Sequence, residues 1–159
     1  MSSTPTPAIN STLSLARTAR CRWLLSHLDL AAATSEDRPV YNEMQITLWN
    51  YGDSSSVTVD NKCRQAGWSW AAAADGVAAA ALKPNSTIIY VSYREEDAQE
   101  KIVYAKRIIE ALRPDVRPKT PGNAKESIEL ENGSRLISFP CREPRGPGKP
   151  RIYLDEMAM

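Results

Sequence analysis

Ala71–Ala74 and Ala78–Ala81 constrain this chain more than any other stretch. A helix with almost no side-chain bulk can lie very close on a sheet, so the run from Ala71 to Leu82 reads as a buried crossover helix. Pro84-Asn85 ends it. Asp75-Gly76 divides the run, and a mid-helix glycine costs about 1 kcal/mol against alanine, so an interruption is expected there.

What precedes this helix matters as much. A β-rich run, Ser56-Val57-Thr58-Val59-Asp60, enters the turn Lys62-Cys63-Arg64-Gln65-Ala66-Gly67-Trp68-Ser69-Trp70. Strand, tight turn and helix are the context a phosphate-binding loop requires. Backbone N–H groups and the helix dipole there favour an anion. Gly67 lets backbone approach a phosphate without a Cβ in the way, and Ser69 puts a hydroxyl where such loops place a Mg²⁺ ligand. Aligned on Gly67 and Ser69, the usual lysine position holds Trp68 and the first glycine position holds Lys62. The cation stands at the other end of the loop, with Arg64 as a second candidate. Taken alone, the stretch reads equally as a strand-to-helix turn carrying a scattered Lys and Arg.

Downstream the pattern is that of an α/β chain. Thr87–Val91 is a β-branched and aromatic run, as expected for a strand covered on both faces. Glu95–Leu112 reads as a helix with Ala98, Ile102, Ala105, Ile109 and Leu112 on one stripe. Residues 117–125 read as a loop. Ser127–Leu130 and Arg135–Phe139 flank Asn132-Gly133 and read as a hairpin added to the edge of a parallel sheet. Residues 140–150, with Arg142, Arg145 and Lys149, read as a basic flexible loop, solvated or touching phosphate or DNA. The chain then gives Arg151-Ile152-Tyr153-Leu154-Asp155-Glu156, a buried strand ending in carboxylates. Ligands bind at the C-terminal ends of strands in such sheets. If Val57–Asp60 and Ile152–Asp155 are sheet neighbours, Ser69 and Asp155 meet around one Mg²⁺, and Glu156 stands to accept a proton from an attacking water.

Upstream, residues 1–12 are rich in Ser, Thr and Pro and read as a disordered start without a signal peptide. Residues 13–38 read as a helical segment, Leu13–Ala33, plus a linker. Arg17, Arg20 and Arg22 give that helix a basic character, a solvated face or one turned to a partner. A short helix is expected from about Tyr41. On it Gln45 either reads adenine, since its amide both donates and accepts, or sits on an exposed face. His27, the sole histidine, reads as a helix-surface residue.

Bulk properties exclude little else. A formal net charge of +1 neither favours nor opposes nucleic acid. The three cysteines, Cys21, Cys63 and Cys141, are widely spaced and point to a reducing compartment rather than a disulfide framework or zinc site. No stretch is long and apolar enough to span a membrane.

Lys62 to Trp70 and Ile152 to Glu156 resemble the large terminase subunit of tailed bacteriophages, in its N-terminal packaging ATPase domain. That family often carries Arg-Gln-x-Gly in a deviant Walker A loop, with the lysine at the loop's start. Ile89-Tyr90-Val91-Ser92 with its acidic helix, and Leu130-Glu131-Asn132-Gly133-Ser134, are similar too. The resemblance runs from about Tyr41 to the end. It implies a P-loop NTPase-type fold, a mainly parallel sheet flanked by helices, over residues 39–159 with an N-terminal helical extension. It also implies a Mg²⁺-ATP-driven motor that pumps double-stranded DNA into a procapsid. Its partners would be a portal protein and a small terminase subunit, its form a homo-oligomeric ring, and its location the bacterial host cytoplasm. Residues Lys62 to Ser69 (Lys62, Cys63, Arg64, Gln65, Ala66, Gly67, Trp68, Ser69) would bind the nucleotide, with Gln45 on adenine. Lys62 and Arg64 would contact phosphates, Ser69 and Asp155 would hold Mg²⁺, and Glu156 would activate water. Since the family continues beyond its Walker B strand, the sheet is expected to be incomplete at its C-terminal end. A helicase-like P-loop motor and a non-catalytic terminase remnant are the alternatives.

Overall fold

The computed structural model describes residues 16–34, 41–51, 67–141 and 149–155. Expectations placed on residues 1–15, 35–40, 52–66, 142–148 and 156–159 lie outside these. They include the polar start, the strand Val57–Asp60, the loop positions Lys62 to Ala66, the arginines of the basic loop, and Glu156.

Among the described residues, four helices lead into the sheet: α1 (Ala19–His27), α2 (Leu30–Thr34), α3 (Glu43–Tyr51) and α4 (Trp68–Leu82). There follow β1 (Thr87–Ser92), α5 (Glu95–Glu110), β2 (Gly122–Asn123), β3 (Ser127–Glu129), β4 (Arg135–Pro140) and β5 (Arg151–Asp155). The strands form one sheet in the order β2-β3-β4-β1-β5. β1 pairs parallel with β4, Thr87 opposite Arg135, and with β5, Ile88 opposite Arg151. β3 runs antiparallel to β4 and β2 antiparallel to β3. The sheet is therefore mixed: β4, β1 and β5 run parallel, and the expected hairpin adds antiparallel strands at the edge. The reason is the Asn132-Gly133 turn. It reverses the chain in a few residues, too few for the crossover that a parallel neighbour needs. Gly133 takes φ 81° there, and Asn132 reaches across to donate to the Ala80 carbonyl at 2.8 Å, satisfying an end carbonyl of α4. Within the segment 117–125, expected to be loop, Gly122–Asn123 adds a short outer strand.

α1 and α3 pack on α4, and α4 packs on α5. Ile88, Tyr90, Leu136 and Tyr153 join these helices in one core. The alanine helix lies close on the sheet, as its composition implies. It is continuous through Asp75-Gly76, contrary to expectation. Gly76 is there for approach rather than for a break: a Cβ on it would overlap the Tyr90 hydroxyl, which donates to the Ala73 carbonyl at 3.1 Å.

The first helix is also corrected. Instead of one helix over 13–33, α1 stops at His27. Leu28 then bridges to Leu112, and the Asp29 N–H donates to the Ala111 carbonyl. Asp29 in turn accepts from the Ala32 N–H and starts α2. Backbone pairing with the end of α5 outweighs local helical periodicity here. Nor is the arginine face uniformly solvated: Arg20 is buried against Asp75, Nε to Oδ1 2.9 Å.

β5 is less enclosed than its sequence implies. Tyr153 and Asp155 point into the helix-covered face, whereas Ile152 is 43 % and Leu154 56 % exposed on the other. Within the described sheet β5 has a partner on one side only, so its outer apolar residues stay open.

Candidate functional site

α4 begins at Gly67, whose left-handed φ of 75° suits a residue without Cβ. The first helical bond runs from the Ala71 N–H to the Gly67 carbonyl at 3.0 Å. No side chain caps this end. The helix dipole favours an anion at this end, where the sequence analysis expects a phosphate loop. Trp68 is buried and Ser69 half-buried on this first turn. Trp49 of α3 fixes the turn from behind, its indole N–H donating to the Ala71 carbonyl at 2.9 Å. Trp49 packs in turn on Trp70 and, edge to face, on Tyr41. Burial pushes the Tyr41 hydroxyl above its ordinary pKa.

The structure brings Ser69 and Asp155 together. Ser69 Oγ donates to Asp155 Oδ2 at 2.5 Å across 86 residues of chain. Asp155 is 4 % exposed, at the C-terminal end of β5. Both are hard oxygen donors of the kind Mg²⁺ takes, and they meet beside a helix N-terminus that favours phosphate. The residues present therefore fit a Mg²⁺–nucleotide site.

Gln45 lies at this site, but not as an exposed helix residue. It is buried, and its Oε1 accepts from the Asn42 N–H at 3.0 Å while Asn42 Oδ1 accepts from the Gln45 N–H at 2.9 Å. This reciprocal pair is a capping box at the start of α3. Its Nε2 faces Gly67, 3.5 Å from where a Cβ would stand. The amide oxygen is thus engaged in holding α3, and the amide nitrogen points toward the loop.

One residue of the site escaped the sequence reading. Lys101 of α5 is 1 % exposed, with Nζ 3.0 Å from Asp155 Oδ2. It also donates to Ser92 Oγ at 2.8 Å and to the Asp97 carbonyl at 2.9 Å. The signal was available: Lys101 stands three residues after Ala98 and four before Ala105, on the apolar stripe. A lysine in that position needs a buried partner.

A second buried carboxylate lies one helical turn and a half along α4. Asp75 accepts from the Tyr153 hydroxyl at 2.5 Å and pairs with Arg20, while Arg151 Nη2 stands 3.4 Å away. Tyr90 stacks on Tyr153 at 5.4 Å. Burial, with the Asp75 carboxylate adding to it, raises both tyrosine hydroxyls well above the usual range.

The described residues include no helix long and apolar enough to cross a membrane. No curated protein matches this chain. Residues 61–159 match the family described as terminase large subunit, T4-like virus type, N-terminal. That match holds the whole loop, the Ser69–Asp155 pair and the sheet between them. With more than half its length matched, the chain belongs to the family of terminase large-subunit N-terminal domains.

Proposed function

We propose that this chain is the ATP-binding part of a phage DNA-packaging motor, and that Ser69 and Asp155 are its Mg²⁺ ligands. The observation that carries the reading is the 2.5 Å contact between a hydroxyl on the first turn of α4 and a carboxylate at the end of β5. Bound there, Mg²⁺ would neutralise charge on the β- and γ-phosphates of ATP. The N-terminal N–H groups of α4 bind phosphate oxygens, and Gly67 admits them to backbone contact. Lys62 and Arg64 supply the positive charge that Trp68 cannot. Cys63, Gln65 and Ala66 complete the loop backbone. Glu156, next in sequence to Asp155, accepts a proton from the attacking water. Gln45 offers its Nε2 to the adenine. Hydrolysis drives translocation of double-stranded DNA into the procapsid. The motor works as a ring on the portal with the small terminase subunit, in the host cytoplasm.

The test is Mg²⁺-dependent ATP binding by the purified chain, with Lys62→Ala, Arg64→Ala and Asp155→Ala beside it. Micromolar binding that these substitutions abolish supports the reading. A folded wild-type chain that binds no nucleotide overturns it. Binding without turnover favours the non-catalytic alternative for this polypeptide.

A further inference from the structure

Lys101 donates to Ser92 Oγ and to the Asp97 carbonyl at 2.8 and 2.9 Å, and its ammonium forms an ion pair with Asp155 Oδ2 at 3.0 Å. These come from β1, from the preceding turn of α5 and from β5, so the amine is held by geometry rather than by chance contact. Burial at 1 % exposure leaves no water to screen its charge. Asp155 Oδ2 is the same oxygen that accepts from Ser69. A divalent ion shared by Ser69 and Asp155 must therefore approach an oxygen that already has an ammonium 3.0 Å away. The two cations repel across a low-dielectric site.

We infer that Lys101 is a positioning residue and resident counter-ion of Asp155. It holds the carboxylate in place without metal and keeps the bare divalent ion out, so that Mg²⁺ is accepted only together with the negative charge of a nucleotide's phosphates. This rests on the reading of Ser69 and Asp155 as Mg²⁺ ligands. The device gives specificity as well as position. A site made of one carboxylate and one hydroxyl has little to distinguish free Mg²⁺ from Mg²⁺–nucleotide, and a fixed positive charge behind the carboxylate supplies that distinction. Ser92, buried at the end of β1, anchors the amine from the strand beside β5 and keeps it aligned with Asp155 when the carboxylate turns toward the ion.

The full chain and its Lys101→Met, Lys101→Gln and Lys101→Arg variants are melted with increasing Mg²⁺ alone, and then with Mg²⁺ plus a non-hydrolysable ATP analogue. Wild type and Lys101→Arg are expected to ignore Mg²⁺ alone and to respond when the analogue is present. Lys101→Met and Lys101→Gln are expected to melt lower without metal and to be raised by Mg²⁺ alone, with a half-saturating concentration at least tenfold below that of wild type. Lys101→Gln retains a donor for Ser92, so it carries the test if Lys101→Met does not fold. A purely structural lysine would lower the melting temperature in every condition and leave the Mg²⁺ dependence unchanged, and that result overturns the inference. So does a wild-type chain that binds bare Mg²⁺ as tightly as Mg²⁺–nucleotide, an outcome that needs no variant. A wild-type chain that responds to Mg²⁺–nucleotide while its variants keep the same metal dependence sinks this inference alone. A folded wild-type chain indifferent to both ligands sinks the site reading as well.

Discussion

Asp75 and Asp155 are buried aspartates joined to the same two elements from opposite sides. Asp75 reaches from α4 to Tyr153 of β5, and Asp155 reaches from β5 to Ser69 of α4. Each has a cation against it, Arg20 for the one and Lys101 for the other. Their surroundings differ. Asp75 sits in mid-helix with no exposed surface, between the buried Arg20 of α1 and Tyr153 of β5. Asp155 sits where a strand ends, beside the N-terminus of α4 and its exposed Gly67. A buried ion pair enclosed by core is an architectural joint. The same pair at a strand end can exchange its partners for a ligand.

That contrast is testable in order of effect. Asp75→Ala removes the shared acceptor of Arg20 and Tyr153 and strands a buried guanidinium, which costs about 3–5 kcal/mol. Chemical denaturation should show that loss equally with and without Mg²⁺–nucleotide. A loss below about 1 kcal/mol would mean that the joint contributes no more than a surface pair. Gly76→Ala drives a methyl into the Tyr90 hydroxyl and should cost about 1–3 kcal/mol. Adding Tyr90→Phe should return part of that loss, and strict additivity of the two would contradict the close approach of α4 to β1.

Ser69→Ala should behave in the opposite way to Asp75→Ala. The loss of one hydrogen bond at a half-exposed position costs about 1 kcal/mol, while Mg²⁺-dependent nucleotide binding should fall at least tenfold. Unchanged binding would remove Ser69 from the site. The smallest effect is one of pH. Burial, with Asp75 adding to it, pushes the Cys21 thiol from 9.0 up to about 11, against the pull of Arg22. Because the folded value is raised, this contribution to stability is full below pH 9 and is lost as pH climbs through about 11. Tyr90 and Tyr153, also raised, extend the loss at higher pH. Cys21→Ala should flatten the first part of that decline, and an unaltered curve would mean that the thiol is not raised by its burial beside Asp75.

Much of this was legible. Thr87–Val91, the stripe of α5, the Asn132-Gly133 hairpin and the strand before Glu156 follow from period and turn chemistry, which act over a few residues. The juxtaposition of Ser69 with Asp155 was legible as well, because strand ends and helix starts share one edge of an α/β sheet. Illegible were the joint at Asp75, the break at Leu28 and the exposure of Leu154. Asp75 looks like a flaw in an alanine helix until Arg20 and Tyr153 arrive from residues far away in the chain. Leu28 leaves its helix because Leu112 offers backbone pairing, and no local signal announces that.

The sequence by itself determined which segments fold as helix or strand and which residue types stand at their ends, because propensity and periodicity are properties of neighbours. Only the tertiary structure decided the order of the strands, the charge partner of each buried aspartate and the place of Lys101 behind Asp155. Those depend on which elements share a face, and burial gives charge its force only once those faces have closed.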